Sequence, residues 1–379
     1  MLLLAFFFLL TFFPMISVGS FSIPTILIFS PILFFKKTKF NFNLLKVSFI
    51  ASLVLCLIHT PVLFATNNLT LKGFSYILYP LFIFLIFTLI SNIFNRVKKE
   101  KLFKYLKIFL LIQLVFCVLQ ITNIFNINEI LNNVYLFWQS TNALKTTGLL
   151  EVSYRPFGTI GSPIYLAIIS FAFGEILRLN NSNKVWYLIS IALILLSGAK
   201  IVIIALAILL FYRYILKILL KHPIKSLAAS LVFILIAYLS VKYIPFMQIL
   251  YNRFFIEGNS VLDDYSLSYR LSMLELFKDN MNFLFFGGYG IENFPPYVDS
   301  EIILRGMQLG IVGFSTTLTP YLSMKQVIEK RSLEMKPSIR QYLFVLALCS
   351  MTSVVFTNLY LIPYILLLPS TLLMKRSKK

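Results

Sequence analysis

Twelve stretches of predominantly apolar sequence fill most of the 379 residues. They fall at about 1–18, 21–35, 45–66, 74–95, 105–125, 160–178, 185–199, 201–219, 226–245, 302–320, 340–356 and 357–373. A helix needs about 20 mainly apolar residues to cross a bilayer. The chain is 59% hydrophobic and only 13% charged, whereas soluble domains carry about 25% charged residues. No water-soluble core hides this much apolar surface. The sequence therefore predicts an all-α polytopic membrane protein of about 12 transmembrane helices, a single integral membrane domain over 1–379.

The net charge of +20 suggests nucleic acid until its placement is considered. The basic residues cluster beside apolar spans and no nucleic-acid-binding motif accompanies them, so no nucleic-acid partner is expected. With the N-terminus inside, 25 of the 34 Lys and Arg residues fall on cytoplasmic connections and nine outside. Reversing the chain breaks the positive-inside rule at almost every loop. Ten of the 14 acidic residues fall on the outside set. Both termini are thus expected in the cytoplasm. The N-terminal MLLLAFFFLLTFFP lacks a basic start and a small-residue cleavage site, and reads as the first span. Cys56, Cys117 and Cys349 all lie in apolar spans with no CxxC spacing, which argues for buried packing over a disulfide or zinc site.

Two outside segments are long, 126–159 and 246–301. Loops beyond about 12–15 residues are usually functional or disordered. The larger holds a helical stretch, SYRLSMLELFKDNM, and a glycine-rich turn at Phe285–Gly290, which predicts a partly helical extracytoplasmic loop. The candidate chemistry sits at its edges. Arg155 opens RPFGTIGSP above a span, either as a snorkelling anchor or as a guanidinium that grips phosphate oxygens bidentately. Lys200 follows the turn Ser197-Gly198-Ala199, where a charge needs the surface or a polar cavity. Arg270 opens the loop helix, and Arg305 lies near the mouth of the tenth span. Asp299 and Glu301 are either solvated loop acids or a general base. Asp263-Asp264 falls short of a cation ligand set. His59 and His222 lack metal-ligand spacing. Glu175 lies near the cytoplasmic end of its span, within reach of Lys or Arg partners, and receives no role.

Three segments resemble the O-antigen polymerase/ligase superfamily of Wzy-type membrane glycosyltransferases. RPFGTIGSPIYLA looks like the family's Arg-x-x-Gly-x-x-x-x-Pro segment. LLSGAKIVIIALAI is similar to its Ser/Thr-Gly-Ser-Arg segment, with Lys200 where arginine is usual. SYRLSMLELFKDNMNFLFFGGYGIENF, followed by VDSEIILRGMQLGIVGF, looks like its large extracytoplasmic loop and next span. The resemblance covers roughly 150–315 and implies a GT-C-like polymerase of the bacterial cytoplasmic (inner) membrane. Its donor and acceptor would be undecaprenyl-diphosphate-linked oligosaccharides, the product O-antigen or capsule. A chain-length regulator, a flippase and the bilayer would be its partners. The implied roles are diphosphate binding by Arg155, Arg270, Arg305 and Lys200, and catalysis by Asp299, Glu301 and Arg270. The donor is already activated, so neither nucleotide nor metal is expected, and no cofactor. The ligase branch places a functional histidine in the large loop; here Asp299-Ser300 stands at that place, which favours a polymerase. The alternatives are a ligase and a lipid-linked oligosaccharide flippase.

Overall fold

The computed structural model describes residues 2–12, 15–18, 21–34, 41–65, 76–131, 133, 156–180, 182–215, 231, 238, 272, 275, 278, 288, 300–331, 336–351, 353–358 and 360–373. Helix dominates them. In order come α1 (Leu2–Phe12), a hairpin of β1 (Met15–Val18) and β2 (Phe21–Pro24), a 3-10 helix (Thr25–Phe34), α2 (Phe42–Ala65), α3 (Tyr79–Asn95) and α4 (Lys99–Thr122). After these come α5 (Pro163–Leu179), α6 (Lys184–Ser197) and α7 (Lys200–Leu210). The series closes with α8 (Glu301–Arg331), α9 (Lys336–Ser350), α10 (Ile362–Ile365) and α11 (Leu367–Leu372).

Among the described residues, three helices are long and apolar enough to cross a membrane: α2, α4 and α8. α2 and α4 have 24 residues each, about 36 Å at 1.5 Å per residue and more than the ~30 Å hydrocarbon core. Each turns a wide apolar face outward, with Phe49, Leu53 and Leu57 of α2 and Leu111, Val115 and Val118 of α4 exposed. Lipid is the solvent that suits such faces.

The first two expected spans take another form. α1 stops at Phe12, and the antiparallel pair Met15–Val18 and Phe21–Pro24 follows, with Val18 opposite Phe21. Pro14, Gly19, Ser20 and Pro24 interrupt the apolar run, and these residues favour turns over continuous helix. The last expected span likewise divides, into α10 and α11, behind an irregular stretch at 353–361.

The chain forms two compact units, residues 1–203 with 283–379, and residues 204–282. In the second, α7 runs into a π turn at Phe211–Ile215. In the first, α5 and α6 form an antiparallel hairpin across the turn at Asn180–Asn183. The Asn183 side chain caps α6 by accepting from Val185 N at 3.1 Å. Ser190 Oγ donates to Ser170 O at 2.5 Å. A Cβ on Gly174 would lie 2.2 Å from Ser190 Oγ, so these small residues let the two backbones close. Glu175, fully buried, accepts from Arg178 Nη2 at 2.9 Å and Tyr187 Oη at 3.3 Å near that turn.

Candidate functional site

The site is built around the start of α8. Residues 353–358 and 360–361 are not helical, so their buried N–H groups need acceptors from elsewhere. Glu301 supplies them. Fully buried, it accepts from Val355 N at 2.9 Å, Phe356 N at 2.8 Å, Thr357 N at 2.5 Å and Thr357 Oγ1 at 2.7 Å. A carboxylate has about four acceptor positions, and all four are taken. Glu301 is therefore an anchor for the 355–357 backbone.

Arg305 lies one helical turn on, 7% exposed. Its Nε donates to Thr357 Oγ1 at 2.8 Å and its Nη1 to Gln308 Oε1 at 2.6 Å. Its guanidinium carbon sits 4.7 Å from the Tyr76 ring centroid, a cation–π distance. Thr357 thus relays between acid and base, accepting from Arg305 while donating to Glu301. The Nη2 of Arg305 has no hydrogen-bond partner among the described residues. Tyr79, which interacts electrostatically with Arg305, Glu301, Tyr321 and Tyr76, is 3% exposed, and its hydroxyl has no partner among the described residues. Tyr321 Oη closes the far side by donating to Phe356 O at 2.8 Å. The result is a guanidinium held by Thr357, Gln308 and Tyr76, and a buried phenol without a hydrogen-bond partner among the described residues.

The RPFGTIGSP segment is held to the same neighbourhood. Gln120 Oε1 accepts from Phe157 N at 3.0 Å and Gly158 N at 2.8 Å. Gln113 Oε1 accepts from Thr159 N at 2.9 Å, and its Nε2 donates to Thr159 Oγ1 at 2.6 Å. Gly158 has φ +59°, and a Cβ there would lie 2.2 Å from Gln113 Oε1, so the turn requires glycine. Tyr360 Oη donates to Ile160 O, and Asn358 Nδ2 donates to Tyr165 Oη. Residues 355–358 and Tyr360 thereby connect the start of α5 to the start of α8.

Lys200 arrives at this end through the α5–α6 hairpin. Pairing of Ser170 with Ser190 brings the Pro163 end of α5 to the Ser197 end of α6. Gly198 (φ +60°) ends α6, and Lys200, exposed, opens α7. Arg155, Arg270 and Asp299 lie outside the described residues. Of the glycine-rich turn, Gly288 is described. A Cβ on it would lie 2.6 Å from both Gly310 N and Met307 O. Gly310 (φ 72°, ψ 168°) breaks α8 there, so Gly288 serves close backbone approach.

Sequence reasoning missed the uncharged members: Tyr76, Tyr79, Gln308, Thr357, Gln113 and Gln120. One signal was available, because polar side chains inside apolar spans are costly and tend to be functional. Gln113 and Gln120, seven residues apart, share a face of α4. Among the described residues, no group of three or more His, Cys, Asp and Glu side chains converges as a metal site. No protein-family model, curated protein or solved structure matches the chain.

Proposed function

We propose that the protein is a polysaccharide polymerase of the Wzy type. It would join polyprenyl-diphosphate-linked repeat units on the outer face of the bacterial cytoplasmic membrane. The observation that carries this is Arg305, a buried cation held on three sides by Thr357, Gln308 and Tyr76. Transfer of a glycan from such a donor breaks the sugar–phosphate bond as an acceptor hydroxyl attacks, and charge builds on the departing diphosphate. A preorganised cation in a low-dielectric setting stabilises that charge without reorganising. The buried Tyr79 hydroxyl, without a partner among the described residues, adds a further donor. Lys200 belongs to a segment that reaches the same end, and in the sequence Arg155 directly precedes Pro156. The charge bias of the loops assigns this end to the outside. With Glu301 committed to backbone donors, the role of proton acceptor passes to Asp299.

The break in α8 at Gly310 favours a second reading, a lipid-linked oligosaccharide flippase, since transporters use broken helices at their binding sites. His59, buried on α2 with no partner for either ring nitrogen among the described residues, would then line the path. Deletion separates the two. Loss of a polymerase leaves single repeat units on their lipid at the outer face, visible as a one-repeat band on gels of surface polysaccharide. Loss of a flippase leaves them at the cytoplasmic face. Normal long-chain polymer in Arg305→Ala at wild-type protein level would sink the polymerase assignment.

A further inference from the structure

The seam between α4 and α6 carries, at its basic end, a group of side chains that the Arg305 site does not use. Gln113 and Gln120 tie the far part of α4 to the turn before α5. From there α5 runs back to the Asn180–Asn183 turn that starts α6. α4 and α6 therefore run parallel, and they pack together. Their register is set where Lys107 Nζ lies 5.6 Å from the centroid of the Trp186 ring, a cation–π distance. Lys104 lies three residues before Lys107, about 4.5 Å along the axis, and Lys184 two residues before Trp186, about 3 Å. The two lysines thus stand at nearly the same depth on neighbouring helices, with Lys101 one turn beyond Lys104. Lys101, Lys104 and Lys184 are all exposed.

The surface next to these charges is apolar and also exposed. On α4, Lys104 heads a stripe that continues as Ile108, Leu111 and Val115, steps of three and four residues that keep to one helix face. On α6, Val185 and Leu188 follow Lys184 in the same direction. Each helix presents an ammonium with a strip of hydrocarbon behind it, the outline of a phospholipid's phosphate and acyl chain. A single lysine can snorkel to water alone, but like charges gathered at one seam repel unless anions sit among them. The nearby acids do not supply those anions. Glu175 is engaged by Arg178 and Tyr187, and Glu100 is one exposed carboxylate against four lysines.

We infer that the basic mouth of the α4–α6 seam seats a cardiolipin-type phospholipid, whose two phosphates share one short linker. One phosphate meets Lys101 and Lys104 on α4, the other Lys107 and Lys184 across the seam, and the acyl chains lie on the two apolar strips. The charge bias of the loops puts this mouth at the cytoplasmic leaflet, where basic pockets between spanning helices suit such headgroups. A lipid with one phosphate matches one helix at a time. The seat depends on α4 spanning the bilayer and is independent of the polymerase reading.

The test is native mass spectrometry of the full-length protein in detergent, titrated with tetraoleoyl cardiolipin or with dioleoyl phosphatidylglycerol. Wild type should bind its first cardiolipin about tenfold or more tighter than phosphatidylglycerol. A lysine at a charged membrane surface contributes about fivefold in binding, so Lys104→Gln combined with Lys184→Gln should weaken cardiolipin by about 25-fold. Both positions are exposed, so the thermal midpoint should stay within a few degrees of wild type. Lys330→Gln combined with Lys336→Gln removes the same charge from α8 and α9 and should leave cardiolipin binding unchanged. Three results would each overturn the seat. Equal affinity of wild type for the two lipids would mean diffuse attraction. Wild-type cardiolipin affinity after the Lys104 and Lys184 exchanges would put the lipid elsewhere. An equal loss after the Lys330 and Lys336 exchanges would reduce the effect to net charge.

Discussion

Glu301 and Arg305 are four residues apart on α8, yet they communicate through Thr357 on a different segment. This makes the two side chains unequal under mutation. Glu301→Ala strands three buried backbone N–H groups and one hydroxyl. Each orphaned donor costs about 1–3 kcal/mol, so the thermal midpoint in detergent should fall sharply and the protein should accumulate poorly. If the protein is the proposed polymerase, Arg305→Lys should accumulate normally and still lose about 10²-fold in polymer formation. An ammonium cannot reproduce the fork that holds Thr357 and Gln308. Polymer yield normalised to membrane protein level measures the difference. If Arg305→Lys were fully active, the directional demand on the guanidinium would be refuted. By contrast Arg340, which pairs with Glu329 at 2.7 Å but is 52% exposed, should tolerate alanine with a change below about 1 kcal/mol.

At the level of elements, the molecule depends on close approaches that only small residues allow. Gly288 against the α8 break is one. Gly288→Ala meets backbone at 2.6 Å on two sides and a φ of +63°, and neither can yield as a side chain would. Destabilisation of about 2 kcal/mol or more is expected from strain and displacement together, read as a lowered melting temperature. Gln113 makes a different bond between elements, tying α4 to the 157–161 turn and, through Thr159 Oγ1, to α1 at Thr11 O, 2.6 Å away. Gln113→Leu keeps the volume and removes both bonds, leaving the Thr159 amide unsatisfied at a cost of about 1–3 kcal/mol. A Gln113→Leu protein as stable as wild type would show that the turn is held by Gln120 and Tyr360 alone.

For the whole molecule, the positive-inside rule makes a prediction about sidedness. Alkaline phosphatase inserted within 134–150 should be active, and inserted within 332–335 inactive, because that enzyme matures only outside the cytoplasm. The reverse result would turn the candidate site inward, away from any lipid-linked donor on the outer face. The helices that the sequence marks by length and apolarity, over 45–66, 105–125 and 160–178, appear as α2, α4 and α5 with shifted ends. The turn placed at Gly198 is there, with φ +60°. The runs at 1–18, 21–35 and 357–373 do not become single helices, because the prolines inside them (Pro14, Pro24, Pro31, Pro363 and Pro369) outweigh average hydropathy.

The residues alone determined that lipid must be the solvent, where the principal helices lie and which loops carry the charge, since these follow from composition summed along one segment. They marked Arg305 and Glu301 as neighbours of a helix mouth. What each does was decided by tertiary structure. The partners of Glu301 lie 54 to 56 residues away along the chain, and Tyr360 reaches Ile160 across 200. A hydrogen bond depends on where two segments meet in space, and no periodicity within either segment encodes that meeting.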